Sequence, residues 1–198
     1  NAPGNNQNEG DDKPSVSIFR IIAILSGAFT YGGVMSTYFL LTLPIECSVF
    51  GDESSLFLGL FVGLAGLSQL VSPVIGMYSD RCTHSLGRRR PYVIFGGVLG
   101  IVSLLVQQSL SSDIDGTLEG WYTYVIAFFL TMCSMNIIFA AMIALIPDLV
   151  PKHQTGTANG VEALMFVSGS LFAFGSFNAW LDEDLTAMYS LYICLTAG

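Results

Sequence analysis

Five long apolar runs, each bounded by polar or charged residues, constrain this chain more than any other feature. A helix of about 20 apolar residues crosses a bilayer core about 30 Å thick, and each of the five runs reaches that length. A sixth run begins near Leu185 and is too short to span by Gly198. The six runs cover residues 18–43, 54–79, 91–110, 121–146, 158–180 and, in part, 185–198.

The composition agrees with a membrane protein. Of the 198 residues 52% are hydrophobic and 11% are charged, whereas a soluble domain carries about 25% charged residues. We therefore expect an all-α membrane protein, with a transmembrane helical bundle over residues 17–198. The first sixteen residues are dominated by Asn, Gly and Asp. Such a segment cannot bury enough apolar surface to fold, so we expect a flexible tail over residues 1–16.

The charges between the runs are strictly segregated by sign. Every Lys and Arg falls before or at the very start of the first run, between the second and third, or between the fourth and fifth. The alternate connections carry acidic residues without a single Lys or Arg. Because basic residues flank transmembrane helices on the cytoplasmic side, the pattern predicts a cytoplasmic N-terminus. The seven basic residues are Lys13, Arg20, Arg81, Arg88, Arg89, Arg90 and Lys152.

The loop GMYSDRCTHSLGRRRPYV, residues 76–93, holds four of these seven cations. Asp80 ends the second span, where the helix dipole makes a carboxylate unfavourable and calls for a compensating cation. Asp148 ends the fourth span on the same side, and Arg88 or Arg89 could clamp it in bidentate fashion. The order of residues favours a structured charge network, with a plain positive-inside anchor as the alternative.

The residues of this loop resemble the cytoplasmic motif between helices two and three of the major facilitator superfamily. The matching positions are Gly76, Asp80, Arg81, Gly87, Arg88 and Arg89. Five residues separate Asp-Arg from Gly-Arg, and this longer form is similar to the sucrose–proton symporters, which belong with the glycoside–pentoside–hexuronide cation symporters. The stretch ALIPDLVPKHQTGTANG, residues 144–160, resembles the link between helices four and five of the same group.

The resemblance implies the N-terminal six-helix half of a transporter that works by alternating access, with the sixth helix truncated. It also implies that the Asp80 side chain helps to latch a cytoplasmic gate against the missing C-terminal half. The resemblance further implies that Arg88 and Arg89 tie helix two to the end of helix four through Asp148. These roles concern conformational change and not sugar binding.

Polar residues at mid-span depth are the candidates for a substrate cavity, because transporters bind their solutes near the middle of the membrane. Aromatic and hydroxyl side chains in the first span could stack on a sugar and donate hydrogen bonds to it. Amides in the second and fourth spans need partners and could also face a cavity. Ordinary packing between helices is the alternative for each of them. The candidates are Tyr31, Tyr38, Thr42, Gln69 and Asn136.

Glu162 is the one ionisable residue well inside a predicted span. An intramembrane charge is costly and suggests a function such as proton or cation coupling. A carboxylate near a helix N-terminus is also favourable by itself, so a structural role is the alternative. The sucrose symporters carry charged residues in helix four that are tied to proton coupling. This chain has none between Trp121 and Pro147, so a uniporter stays open.

Glycine and proline patterns predict how two of the spans pack. Small residues let helix backbones approach closely in lipid, and we expect close contacts at the glycines of spans two and three. Pro73 is expected to kink the second span. The glycines are Gly59, Gly63 and Gly66 in span two and Gly96, Gly97 and Gly100 in span three.

The leading hypothesis is a secondary transporter of a sugar or glycoside, with a proton or another cation as a possible coupling ion. Transport of another small solute or a lipid is the first alternative, and a non-transporting membrane scaffold or sensor is the second. The expected partners are the solute, the lipid bilayer and the missing half of the transporter. We do not expect the protein to bind nucleic acid. No motif for a nucleophile, metal or cofactor occurs, so we expect neither an enzyme nor a bound cofactor. The four dispersed cysteines are expected to be apolar filler.

Overall fold

The computed structural model describes residues 14–82, 87–111, 118–179 and 184–198. The described residues include four helical segments that are long and apolar enough to cross a membrane: Ser26–Asp80, Arg90–Ser111, Gly120–Leu149 and Lys152–Ala179. The apolar helix Leu185–Ala197 is shorter. Residues 1–13 of the tail predicted for residues 1–16 lie outside the described residues.

The first segment is long enough for two crossings, since 55 helical residues extend about 80 Å at 1.5 Å per residue. It reverses direction at Gly51, whose φ of 53° and ψ of −117° break the helical path. Helices α1 (Ile18–Ile24), α2 (Ser26–Thr37) and α3 (Leu43–Cys47) precede the reversal. A π-helical turn, Tyr38–Thr42, joins α2 to α3, and a 3₁₀ turn, Ser48–Glu53, leads into α4 (Ser54–Ser68).

The second crossing is interrupted between α4 and α5 (Val71–Asp80). Pro73 has no N–H to donate to the carbonyl of Gln69, four residues earlier. The Ser72 N–H donates to that carbonyl instead, at 3.1 Å. The break at Gln69–Leu70 confirms the predicted distortion and places it one turn before the proline.

The remaining elements are α6 (Arg90–Ser111), α7 (Leu118–Ile143), α8 (Leu145–Leu149), a 3₁₀ turn (Lys152–Gln154), α9 (Thr155–Ala179) and α10 (Leu185–Ala197). Helix α7 lies at the centre of the bundle, packed against α2, α4, α5 and α6. Helix α2 packs along α9, and α6 packs against α10 on its other side. The observed helices follow the predicted spans closely because each apolar run is long and cleanly bounded.

The closest helix approach lies between α2 and α9. A Cβ added to Gly32 would overlap the backbone carbonyl of Phe166, and one added to Gly169 would overlap that of Phe29. In α6, a Cβ at Gly96 would lie 2.8 Å from Cγ1 of Ile138. The expectation for the second span is wrong among the described residues, because a Cβ on Gly59, Gly63 or Gly66 would meet no atom within 4 Å.

Candidate functional site

The loop between α5 and α6 forms a cluster of ion pairs at one end of the bundle, called the basic end below. Nη2 of Arg88 and Nη2 of Arg89 lie 3.1 and 2.8 Å from the same carboxylate oxygen of Asp80. Nε of Arg89 lies 3.2 Å from Oδ2 of Asp148, and its Nη1 donates to the hydroxyl of Ser79. One guanidinium therefore joins the end of α5, the start of α6 and α8.

The cluster has the electrostatics that the sequence calls for. Asp80 is the last residue of α5, and two guanidinium groups compensate its charge against the negative helix end. The predicted contact of Asp148 is with Arg89, whose side chain is 8% exposed. Arg88 and Asp80 are about half exposed, so their pair is weakened by solvent. Arg89 is therefore the structural centre of the cluster.

Two glycines and one arginine complete the motif. Gly87 has a φ of 101°, a left-handed conformation that a side chain would strain, and this explains a glycine just before the arginines. Arg81 is exposed, and the ion pairs of Asp80 are with Arg88 and Arg89 rather than with this neighbour. Around Gly76, no described atom would lie within 4 Å of an added Cβ.

Three of the five residues proposed for the substrate cavity are packed inside the bundle. Tyr38 and Thr42 are fully buried, and Thr42 shares a 2.9 Å hydrogen bond with the hydroxyl of Tyr192. Asn136 donates at 2.9 Å to the hydroxyl of Ser68, which ties α7 to α4. Each of the three polar groups has a hydrogen-bond partner within the bundle, which favours the packing alternative.

Tyr31 and Gln69 remain accessible. Tyr31 is half-buried, and its ring stacks on Phe139 of α7 with centroids 4.1 Å apart. The ring of Phe166 in α9 also contacts Tyr31, with the two ring centroids 6.2 Å apart. Gln69 is exposed at the break between α4 and α5. Of the two, Tyr31 is the one that brings an aromatic ring to an accessible position.

Glu46 occupies a buried position that the sequence did not predict. Its place in the acidic connection after the first predicted span favours an exposed position, yet only 4% of its surface is exposed. Tyr189 donates to Oε1 of Glu46 at 2.8 Å, and Tyr124 donates to Oε2. The three residues come from α3, α7 and α10, so this carboxylate holds three elements together.

A polar network continues from this carboxylate into the core. The hydroxyl of Tyr38 lies 3.2 Å from that of Tyr124 and 3.3 Å from that of Tyr189, and it donates to Oε1 of Gln107. Nε2 of Gln107 donates at 2.6 Å to Oγ1 of Thr131. Gln107 is fully buried near the end of α6.

Glu162 lies in the second turn of α9 and is partly buried. Within the described part of the chain it has no hydrogen-bond or ion-pair partner. It is the eighth residue of α9, beyond the first turn in which the helix dipole favours a carboxylate most strongly. Ion coupling and a structural role both stay predictions for Glu162.

A cavity of about 530 Å³ opens near the basic end between α2, α6, α7 and α10. Its walls are mostly apolar, with Met142 and Met165 among them, and three lining residues bear hydroxyl groups: Ser26, Thr30 and Thr196. Its lining includes none of the five proposed cavity residues. A site of this kind offers few of the hydrogen bonds that a sugar requires.

Comparison with known proteins decides the family. The model of the Major Facilitator Superfamily matches residues 2–174. The chain belongs to this superfamily. A superfamily member's chain passes the membrane many times, which agrees with the helical segments described above.

Within the superfamily, the chain is similar to plant sucrose transport proteins. It is 30% identical over 184 residues to the sucrose transport protein SUT1 of Oryza sativa subsp. japonica, covering 83% of this chain and 34% of that protein. It is 26% identical over 218 residues to the sucrose transport protein SUC3 of Arabidopsis thaliana, covering 100% of this chain and 36% of the relative. The chain thus spans about a third of the length of the curated relatives it matches.

A solved structure supports the fold. The bacterial homologue of the iron transporter ferroportin, in its inward-facing state, superposes with a TM-score of 0.67 at 21% sequence identity. The match covers 91% of this chain and 43% of that one. This superfamily fold confirms the architecture predicted from the sequence, that of a partial transporter half.

Proposed function

We propose that this chain is the N-terminal half of a secondary transporter that carries a sugar or glycoside by alternating access. The similarity to sucrose transport proteins over most of the chain carries the proposal. The relatives are about three times as long, so the whole activity requires a second half that follows this one. The segregation of Lys and Arg orients the N-terminus and the basic end towards the cytoplasm.

The ion pairs of the basic end have the properties of a gate latch. Arg89 is buried and holds α5, α6 and α8 together, whereas the carboxylate of Asp80 is more than half exposed and free to reach a second partner. That partner would come from the missing half. The motif Gly76, Asp80, Arg81, Gly87, Arg88, Arg89 and Asp148 is accordingly assigned to gating and not to substrate binding.

The Tyr31–Phe139 stack is the best candidate for contact with the solute. It lies on the first, fourth and fifth spans, and Tyr31 is half-buried with its ring against a second aromatic face. Tyr and Phe rings can cover the apolar face of a sugar, while the Tyr31 hydroxyl can hydrogen-bond to it. Gln69 is a second accessible polar group on the break in the second span.

Transport of another small solute or of a lipid is the second candidate function. The exposed apolar side chains of α4 and α9, such as Leu60, Leu67, Leu164 and Leu171, suit contact with lipid or with the other half equally well. A non-transporting scaffold or sensor is the third. Sequence downstream of Gly198 distinguishes them, since a transporter requires six further spans.

Uptake by the full-length protein tests the proposal. Yeast cells that cannot import sucrose are transformed with the complete gene and incubated with labelled sucrose, other glycosides and a labelled lipid. Saturable uptake of a sugar above the empty-vector level supports the proposal. Lipid movement without sugar uptake would favour the second candidate, and neither activity in a correctly inserted protein would contradict the transporter.

A further inference from the structure

Glu46 is a buried carboxyl without a counter-charge. Only 4% of its surface is exposed, and no described Lys, Arg or His forms an ion pair with it. The sequence has no Lys or Arg between Arg20 and Arg81, and none between Arg90 and Lys152. A buried ionised carboxylate without a cation carries a large desolvation cost, which protonation removes.

The surrounding hydroxyls can satisfy this carboxyl in either charge state. When it is ionised, Tyr124 and Tyr189 each donate to one of its oxygens. When Oε2 is protonated, that O–H can donate to the Tyr124 oxygen, and the Tyr124 O–H can turn to Tyr38, 3.2 Å away. Tyr38 donates to Gln107 in both cases. No donor loses its partner, so gain or loss of the proton needs only rotation of one hydroxyl.

The network is built on an irregular piece of backbone. The Leu43 N–H donates to the carbonyl of Tyr38 five residues earlier, which closes the π-helical turn Tyr38–Thr42. Short π-helical turns inside α-helices occur frequently at functional sites. This turn places both Tyr38 and Thr42 in the core, against Gln107 and Tyr192 respectively. In a regular α-helix, the side chains after Tyr38 would point in different directions from those they have after this turn.

We propose that Glu46 is a proton-binding site in the end of the bundle opposite the arginine cluster. The carboxylate takes a proton from water on that side to form the neutral acid and later returns it, without any change of oxidation state. Its use in driving transport rests on the function proposed above.

Several weakly acidic groups face Glu46, but no other carboxyl does among the described side chains. Tyr38 lies on the first span, Tyr124 on α7, Tyr189 and Tyr192 on α10, and Cys47 follows in the chain. From α6 the Ser111 hydroxyl hydrogen-bonds directly to Glu46, and Gln107 joins the network through Tyr38. Both groups are neutral. The side chains of the acidic residues 113, 115, 119, 182 and 183 lie outside the described residues.

Infrared spectroscopy tests proton binding directly. The full-length protein is reconstituted in lipid nanodiscs, and the C=O stretching band of protonated carboxyls is followed from acid to alkaline pH. We expect a titrating band that is absent from Glu46→Gln and retained in Glu53→Gln, a matched change of an exposed residue at the end of the 3₁₀ turn that follows α3. If the carboxyl C=O bands of Glu46→Gln were the same as those of the wild-type protein at every pH, the proposal would be overturned.

Glu46→Gln is suited to this test because the amide can accept from Tyr189 and donate to Tyr124. Tyr189→Phe supplies a second variant that keeps Glu46 and removes one hydrogen bond to the carboxylate. A charge-assisted hydrogen bond stabilises the ionised form, so we expect the midpoint of the titration to move up by about one pH unit. A midpoint unmoved by this change would place the titrating carboxyl elsewhere.

Transport measurements then test coupling. In proteoliposomes with a proton gradient, Glu46→Gln should lose concentrative solute uptake and retain exchange of labelled against unlabelled solute. Glu53→Gln should retain both. Concentrative uptake by Glu46→Gln equal to wild type, or uptake driven by sodium alone, would overturn the coupling role. Failure of the wild-type protein to move any sugar would instead contradict the proposed function, while the infrared titration would still decide proton binding.

Discussion

The guanidinium of Arg89 donates to the carboxylate of Asp148 across 3.2 Å, although 59 residues separate them in the chain. The same guanidinium pairs with Asp80 at 2.8 Å. Because the Arg89 side chain is almost fully buried and that of Arg88 is about half exposed, the two neighbours differ in what their loss should cost.

Replacement of Arg89 by Ala should destabilise the protein far more than replacement of Arg88. The first change removes several charge-assisted hydrogen bonds and leaves Asp148 without that cation, a loss of about 2 kcal/mol or more. The second removes a solvent-screened pair worth at most about 1 kcal/mol. Thermal unfolding of both variants in the same detergent measures the difference. Equal shifts in the unfolding temperature would contradict the central role of Arg89.

Replacement of Asp80 by Ala should lower the turnover of the full-length transporter more than its affinity for solute. Asp80 pairs with Arg88 and Arg89 at the basic end and makes no ion pair or hydrogen bond with the Tyr31–Phe139 stack, so we expect its loss to change the gate rather than the binding site. Initial rates over a range of sucrose concentrations separate kcat from KM. Asp52→Ala, an exposed acid on the opposite connection, is the control. Normal turnover by Asp80→Ala would rule out the latch.

Replacement of Gly169 by Ala should disrupt the contact between α2 and α9. The new methyl group would overlap the carbonyl of Phe29, and backbone cannot move aside as a flexible side chain can. Overpacking of this kind costs about 1–3 kcal/mol. Gly175→Ala on the same helix is a matched control, because its Cβ would meet no described atom within 4 Å. Thermal stability should fall for the first variant only, and an equal response would contradict the close approach.

Removal of the Asn136–Ser68 hydrogen bond should give a small coupling between the two positions. Hydrogen bonds between transmembrane helices contribute on average about 0.6 kcal/mol. A double-mutant cycle with Asn136→Leu, Ser68→Ala and the double variant measures this coupling through unfolding in detergent. Since Asn136 also donates to the carbonyl of Met132, the single change at Asn136 should cost more than the coupling itself. Strictly additive effects would show that the bond does not tie α7 to α4.

The positions of the helices could be predicted from the sequence because each apolar run is long enough to define a span alone. The third predicted span, 91–110, corresponds to Arg90–Ser111, and the fifth, 158–180, to Thr155–Ala179. A pair of Asp148 with Arg88 or Arg89 could be predicted because the sign of the loop charges places all three at one end of the bundle. The choice of Arg89 comes from the structure. These predictions depend on the composition of each run and on the alternation of basic and acidic connections between runs, and both can be read directly from the sequence.

The buried polar network could not be predicted in the same way. Glu46 follows an apolar run and precedes Asp52 and Glu53, so its sequence context is that of an exposed connection. Its burial depends on Tyr189, 143 residues away, and on Tyr124, 78 residues away. Tyr38, Gln107 and Thr131 were visible as polar residues within apolar runs. Their mutual contacts depend on the rotation of each helix, and hydropathy does not determine that rotation.

The stack of Tyr31 on Phe139 yields the prediction that most directly concerns the solute. Tyr31→Ala removes the ring face, whereas Tyr31→Phe keeps the ring and removes only the hydroxyl. If the ring packs on a sugar, Tyr31→Ala should raise the KM of the full-length transporter about tenfold, as expected for a lost stacking contact of roughly 1–1.5 kcal/mol. Tyr31→Phe should stay closer to wild type. Phe29→Ala, at a residue that contacts Phe172 at 5.6 Å rather than Tyr31, controls for a general loss of aromatic packing in α2. Similar KM values for wild type and Tyr31→Ala would remove this stack from the solute site, because a ring that covers the sugar cannot be deleted without weakening its binding.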